Sequence, residues 1–194
     1  MENVSRIGMD TSKSIFVLHG VDASDQVALR SFAAALALRD TLAGLVGQTA
    51  SLALKWPNDV LLNGGKLAGI LLESQGLGGP DPVLCIGIGV NLIAAPDASR
   101  VEPGAVPPVS LLQETGLAIT PEAFLDALSP AYAAWEARFR AEGFAPLREA
   151  WLAHAARLGE TIRARTGTET REGVFETIDA EGNLILRTAQ GRLA

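Results

Sequence analysis

The stretch "ALKWPNDVLLNGGKLAGILLES", residues 53–74, limits what this chain can fold into more than any other part of it. Two apolar runs flank Asn63-Gly64-Gly65, and that step supplies the positive φ angles of a tight hairpin turn. Residues 52–62 and 66–73 are therefore expected to pair antiparallel around it, with 83–92 as a third strand. Polar residues stand where Val or Thr would suit a sheet better. Pro57 removes a ladder donor, which predicts an edge strand or a bulge at that point. Asn58 and Asp59 are poor strand formers, and Lys66 opens the next strand. A polar turn at a sheet edge and a solvated edge lysine that blocks aggregation account for these residues without any function.

The third strand, "VLCIGIGVNL", carries Gly87 and Gly89 on one face and ends in Asn91. Glycine weakens a strand and is tolerated where a ligand or another backbone comes close. The three strands together offer a glycine-floored surface, a cation, a carboxylate and two amides. That set suits an anionic ligand with a divalent metal: lysine as a point charge on phosphate or carboxylate, hard oxygens for Mg²⁺. Lys66 is expected on the open face of the sheet, in a concave pocket shared with Asn58, Asp59 and Asn91. No other constellation competes. His19 and His154 are isolated, and the chain has no G-x-S-x-G, Walker or G-x-G-x-x-G string.

Around this centre the texture changes. Residues 7–26 open with a β-rich run at Ile15 and Val17, followed by a turn at Asp22–Asp25. "VALRSFAAALALRDTLAGLVG" then repeats Leu29, Phe32 and Leu36 at helical spacing, with Gly44 and Gly47 as stop signals. Residues 76–82, "GLGGPDP", read as a loop, and 93–119 as an irregular, proline-rich stretch with a short helix near Leu111 and Leu112. Thr120-Pro121 starts a helix whose face is Phe124, Leu128, Tyr132, Trp135 and Phe139. A further helix is expected at about 144–158. From Thr161 short strands take over and predict a small β-barrel-like module. The fold class is α+β, a mixed or antiparallel sheet with helices packed on it.

Composition narrows the setting. The chain has 194 residues, 48% of them apolar, enough for a real core. A net charge of −6 argues against nucleic acid as a partner. No apolar run is long enough for a membrane span, and no signal peptide is visible at the start. Cys85 is the single cysteine, and its flanks Leu84 and Ile86 suggest a buried thiol in a reducing compartment, the cytoplasm.

"KWPNDVLLNGGKLAGILLES" followed by "CIGIGVNL" resembles the central motif of biotin protein ligases, and the resemblance runs from about residue 31 to the end. It implies a biotin ligase/lipoyl ligase-like catalytic domain over 31–159 and an SH3-like C-terminal domain over 160–194, which stops early at Arg192-Leu193-Ala194. The implied reaction has two steps. Biotin and Mg·ATP give biotinyl-5′-AMP, and a lysine of a biotin carboxyl carrier protein then takes the biotin. By motif position Lys66 is the catalytic lysine, on the biotin carboxylate and the α-phosphate. Asn58 and Asp59 lie on the nucleotide and metal side, and Trp56 counts among the binding residues. Asn91, with Asp59, holds Mg²⁺, and Gly69 and Gly87 let biotin and adenylate approach. Homodimerisation stays open. A lipoyl or octanoyl transferase on the related fold is the weaker match, because the Trp-Pro-Asn-Asp string looks biotin-specific.

The resemblance breaks over residues 1–30. The family's Gly-Arg loop of the G-R-G-R-x-G kind is absent from the 194 residues. "RIGMDTSKSIFVLHGVDASDQVALR" instead resembles the start of insertion-sequence transposases with an RNase-H-like domain, Asp10 matching their first catalytic aspartate. The chain thus reads as an N-terminally incomplete ligase domain behind a foreign segment. The alternative to an active ligase is a non-catalytic remnant that binds biotin or nucleotide weakly.

Overall fold

The computed structural model describes residues 4–10, 13–20, 27–75, 83–97, 99, 101–102, 104–165 and 169–193. The turn expected at Asp22–Asp25 and the loop at 76–82 lie outside the described residues. Six strands form one antiparallel sheet: β1 (Val4–Asp10), β2 (Lys13–Gly20), β3 (Leu52–Lys55), β4 (Asp59–Leu62), β5 (Gly65–Gln75) and β6 (Val83–Val90). Their spatial order is β1-β2-β6-β5-β4-β3. Four helices accompany them: α1 (Arg30–Val46), α2 (Leu111–Thr115), α3 (Pro121–Glu142) and α4 (Ala145–Leu152). A second antiparallel sheet follows, the meander β7 (Thr161–Arg165), β8 (Thr170–Ile178), β9 (Leu184–Thr188) and β10 (Gly191–Leu193). It stands where the small barrel-like module is expected.

The helices cover one face of the larger sheet. Helix α1 carries alanine at 33, 34, 35 and 37, all buried, so its backbone packs closely between the sheet and α3. It stops at Gly47, whose φ of 61° suits glycine and whose N–H closes on Ala43 O. Thr120 caps α3 through its hydroxyl, which accepts from the Ala123 N–H, and Pro121 takes the first turn. The α3 face differs from the expected one at a single place. Glu136 is buried and Trp135 is only partly so. Glu136 accepts from Arg30 and Arg140 of α1 and α3, and Trp135 Nε1 donates to Asp40.

Three expectations need correcting. The run 52–62 is two strands and not one. It folds back at residues 56–58, with a cis Trp56–Pro57 bond in the turn, so that Leu52 pairs with Leu62 and Lys55 with Asp59. The helix at 144–158 ends at Leu152. The following residues leave it to cover the β3 edge, where Leu54 N–H donates to His154 O and Ala156 N–H donates to Leu54 O. Backbone groups at a sheet edge need partners, and these two supply them. Cys85 is half-buried and not buried in the core, because strand alternation aims Leu84 and Ile86 at the helices and Cys85 the other way.

Candidate active site

Alternation along β5 sends Ala68 and Ile70 into the core and leaves Gly69, Leu71 and Glu73 on the open face. By that rule Lys66, two residues before Ala68, would point into the core. A bulge prevents it. Val60 pairs with Ala68 but Leu61 pairs with Lys66, so Leu67 is an extra residue. Leu67 is fully buried, and Lys66 turns to the open face. There its Nζ lies 2.5 Å from Asp59 Oδ1. A Cβ built on Gly69 would sit 3.6 Å from that Nζ, so the glycine leaves the space beneath the lysine empty.

Asp59 joins two lysines. Lys55 Nζ reaches its other oxygen, Oδ2, at 3.0 Å. The Asp59 side chain is 9% exposed while those of Lys55 and Lys66 are 39% and 40% exposed. The anion is thus set into the sheet, and the cations stand over it. Two ammonium groups on one carboxylate leave the cluster with one positive charge.

The backbone of Lys66 is held on both sides. Its N–H donates to Pro107 O at 2.8 Å, and its carbonyl accepts from Val109 N–H at 3.0 Å. Asn91 Nδ2 donates to Val109 O at 3.0 Å and to Lys66 O at 3.5 Å. Gly65 makes this approach possible, since a Cβ there would fall 2.2 Å from Val109 Cγ1. Residues 107–109, within the stretch expected to be irregular, thus hold the Lys66 backbone. The signal was present: prolines at 107 and 108 favour the extended backbone that a short parallel bridge to Lys66 needs.

Beyond the lysines, Gly69 lies opposite Gly89, and Leu71, 60% exposed, opposite Gly87. A Cβ on Gly87 would meet only Leu71 atoms, at 3.6 and 3.8 Å. The result is an apolar strip with a low floor, ending at the Glu73–Cys85 pair. Partial burial, then the Glu73 charge, push the Cys85 thiol above its usual pKa.

The expected pocket is only partly assembled. Lys66, Asp59, Gly69 and Gly87 share the open face, and Asn91 meets Lys66 through the backbone. Asn58 and Trp56 are elsewhere. Asn58 directly precedes Asp59 and faces the other way, its Nδ2 donating to Ile70 O at 2.6 Å. Trp56 Nε1 donates to Gly182 O in the second sheet at 3.1 Å. Both line a different cavity of about 310 Å³, with Phe32, Leu72 and Glu181. As for Mg²⁺, the described residues hold no group of three His, Cys, Asp or Glu able to bind a metal. Asp59 spends both oxygens on lysine. Asn91 Oδ1 is buried without a hydrogen-bond partner among the described residues.

An antiparallel sheet with helices on one face and a small sheet after it is the architecture of biotin protein ligases. The crystal structure of biotin protein ligase from Aquifex aeolicus superposes with a TM-score of 0.77 at 18% identity, over 92% of this chain and 77% of that one. The chain belongs to the biotin/lipoate A/B protein ligase family, whose model matches residues 7–153. The model for the biotin protein ligase C terminal domain matches residues 158–193. Among curated relatives, the biotin--[acetyl-CoA-carboxylase] ligase of Paracoccus denitrificans is 62% identical over 162 residues, 84% of this chain and 68% of that protein. The bifunctional ligase/repressor BirA of Bacillus subtilis is 33% identical over 138 residues, 71% of this chain but 42% of that protein.

Proposed function

We propose that this chain is a biotin–protein ligase and that it activates biotin on the open face around Lys66. Biotin and ATP react to biotinyl-5′-AMP and pyrophosphate. The ε-amine of a lysine on a biotin carboxyl carrier domain then attacks the acyl carbon and releases AMP. The observation that carries the assignment is the lysine pair gripping buried Asp59 at the head of a glycine-floored apolar strip. The strip beside Leu71 and Gly87 suits an apolar ring and chain, and the net positive end suits a carboxylate and a phosphate.

As the carboxylate oxygen attacks the α-phosphorus, negative charge builds on the phosphate oxygens. An ammonium already fixed in place stabilises that charge without reorganising. The bonds to Pro107 and Val109 fix the Lys66 backbone in advance. Asn91, whose buried Oδ1 has no hydrogen-bond partner among the described residues, would be the residue to hold a Mg²⁺ brought in with ATP, and that ion would offset phosphate charge. Asp59 serves better as the holder of Lys66 than as a ligand. The need for ATP and the lone cysteine support a cytoplasmic setting for the reaction. Working boundaries are 1–30, 31–159 and 160–194; the last falls between the helices and β7, while β1 and β2 belong to the six-stranded sheet.

Neither the fold nor the family matches favour the non-catalytic alternative. The test is a streptavidin blot of a purified carrier domain after incubation with the chain, biotin and Mg·ATP. ATP-dependent labelling is expected. A carrier that stays unlabelled at every enzyme concentration overturns the reading.

A further inference from the structure

We propose that Lys55 is a positioning residue for Lys66: it keeps the Asp59 carboxylate neutralised so that Lys66 is free to engage an anionic substrate. This rests on the reading of Lys66 as the anion contact. Asp59 is nearly dry, and each of its oxygens meets one lysine. An incoming carboxylate or phosphate competes for Lys66 Nζ. If Asp59 had no second cation, that competition would strand a buried charge, which is strongly unfavourable, and Lys66 would stay on Asp59. Lys55 removes the conflict. While it remains on Oδ2, Lys66 can leave Oδ1 and the site keeps its charge balance.

The local fold keeps Lys55 in that place. Lys55 pairs with Asp59 across the 56–58 turn, so both side chains leave the same face of the hairpin. The turn is anchored from the opposite face by Trp56 on Gly182 O and Asn58 on Ile70 O. An ordinary surface ion pair is worth little because both partners are hydrated. This one differs: its acid is 9% exposed and shared.

The test uses the full chain, with biotin-dependent ATP–pyrophosphate exchange and calorimetric titration of biotin. Lys55→Met is expected to raise both KM and Kd for biotin about tenfold, with a smaller change in kcat. Lys55→Arg restores most of the loss. In an Asp59→Asn background no anion needs guarding, so adding Lys55→Met costs nothing further in biotin affinity. Lys55→Gln replaces the methionine variant if that one does not fold. Unchanged biotin affinity in Lys55→Met overturns the proposal, and so does an undiminished loss in the Asp59→Asn background, which would make Lys55 itself a substrate contact. Lys66→Ala separates the two readings. If it abolishes exchange while Lys55→Met is silent, only the role of Lys55 falls. If it leaves exchange intact, the site assignment falls with it.

Discussion

At the scale of the residue, the site depends on which side chain each position sends to the open face. Lys66 is expected to matter most. Lys66→Ala should lower kcat/KM for biotin adenylation by roughly a hundredfold or more, the size seen when one fixed charge-stabilising donor is removed, and well beyond Lys55→Ala. A Lys66 variant that still adenylates at the parent rate would end the assignment. Gly65 is a second test. Any side chain there collides with Val109, whose N–H holds the Lys66 carbonyl. Gly65→Ala should cost about 1–3 kcal/mol in denaturant unfolding, as overpacking does, and should reduce adenylation as well. Cys85 is a third. Its raised pKa leaves less thiolate near neutral pH than a free cysteine has, so alkylation by iodoacetamide should be slow. Cys85 lies at the far end of the Leu71–Gly87 strip, so saturating biotin and ATP should slow alkylation further. Equal rates with and without ligand would place biotin off this face.

At the scale of the element, α1 and α3 are joined by a polar group where an apolar one would be usual. Glu136 is 3% exposed and accepts from Arg30 and Arg140, with Tyr132 Oη at 3.4 Å. Glu136→Leu removes the carboxylate that both arginines meet. The expected loss is about 3–5 kcal/mol, read as a lower midpoint in thermal or urea unfolding. A variant as stable as the parent would show that the pair contributes nothing. Helix and hairpin placement was legible because periodicity and turn chemistry are local: Thr120-Pro121 started α3, Gly47 stopped α1, and Asn63-Gly64-Gly65 made its turn. Glu136 was not legible, because an acid on a helix reads as solvated until its partner 106 residues away is known. Nor was the direction of Lys66. Pro57 suggested a bulge, but the chain turns there and the bulge falls at Leu67, where only the register between two strands reveals it. Asn58 and Asp59 were read together as one site. Asn58 closes the 56–58 turn and Asp59 opens β4, and the two side chains lie on different sides of the sheet.

At the scale of the whole molecule, the second sheet docks on the first part through the β8–β9 turn, residues 179–183. Gly182 there has a φ of 87°, and a Cβ on it would come within 2.7 Å of Leu29 Cδ2 and 3.2 Å of Phe32 Cε2, at the start of α1. Its carbonyl accepts from Trp56 Nε1. Phe175, Ile178, Leu184 and Leu186 join the same hydrophobic core as the helices, so the two sheets share one interior. The turn is shaped by Asp179. Its Oδ1 accepts from the N–H groups of Glu181 at 3.0 Å and Asn183 at 2.7 Å, and its Oδ2 accepts from Asn183 Nδ2 at 3.0 Å. Burial pushes this carboxyl up, but the hydrogen bonds from Asn183, Glu181 and Gly182 outweigh burial and hold it below its usual 3.8. A carboxyl whose pKa is lowered by folding stabilises the folded state above the unfolded value. That stabilisation fades as pH falls through the folded value, below about pH 4. Asp179→Asn keeps a carbonyl acceptor and loses the charge. The variant should therefore melt below the parent at pH 6, and the two midpoints should converge as the pH is taken down toward 3. If the gap between them is the same at both ends of that range, the turn is not held by the ionised carboxylate, and the docking of the second sheet rests on Gly182, Trp56 and the shared apolar core without it.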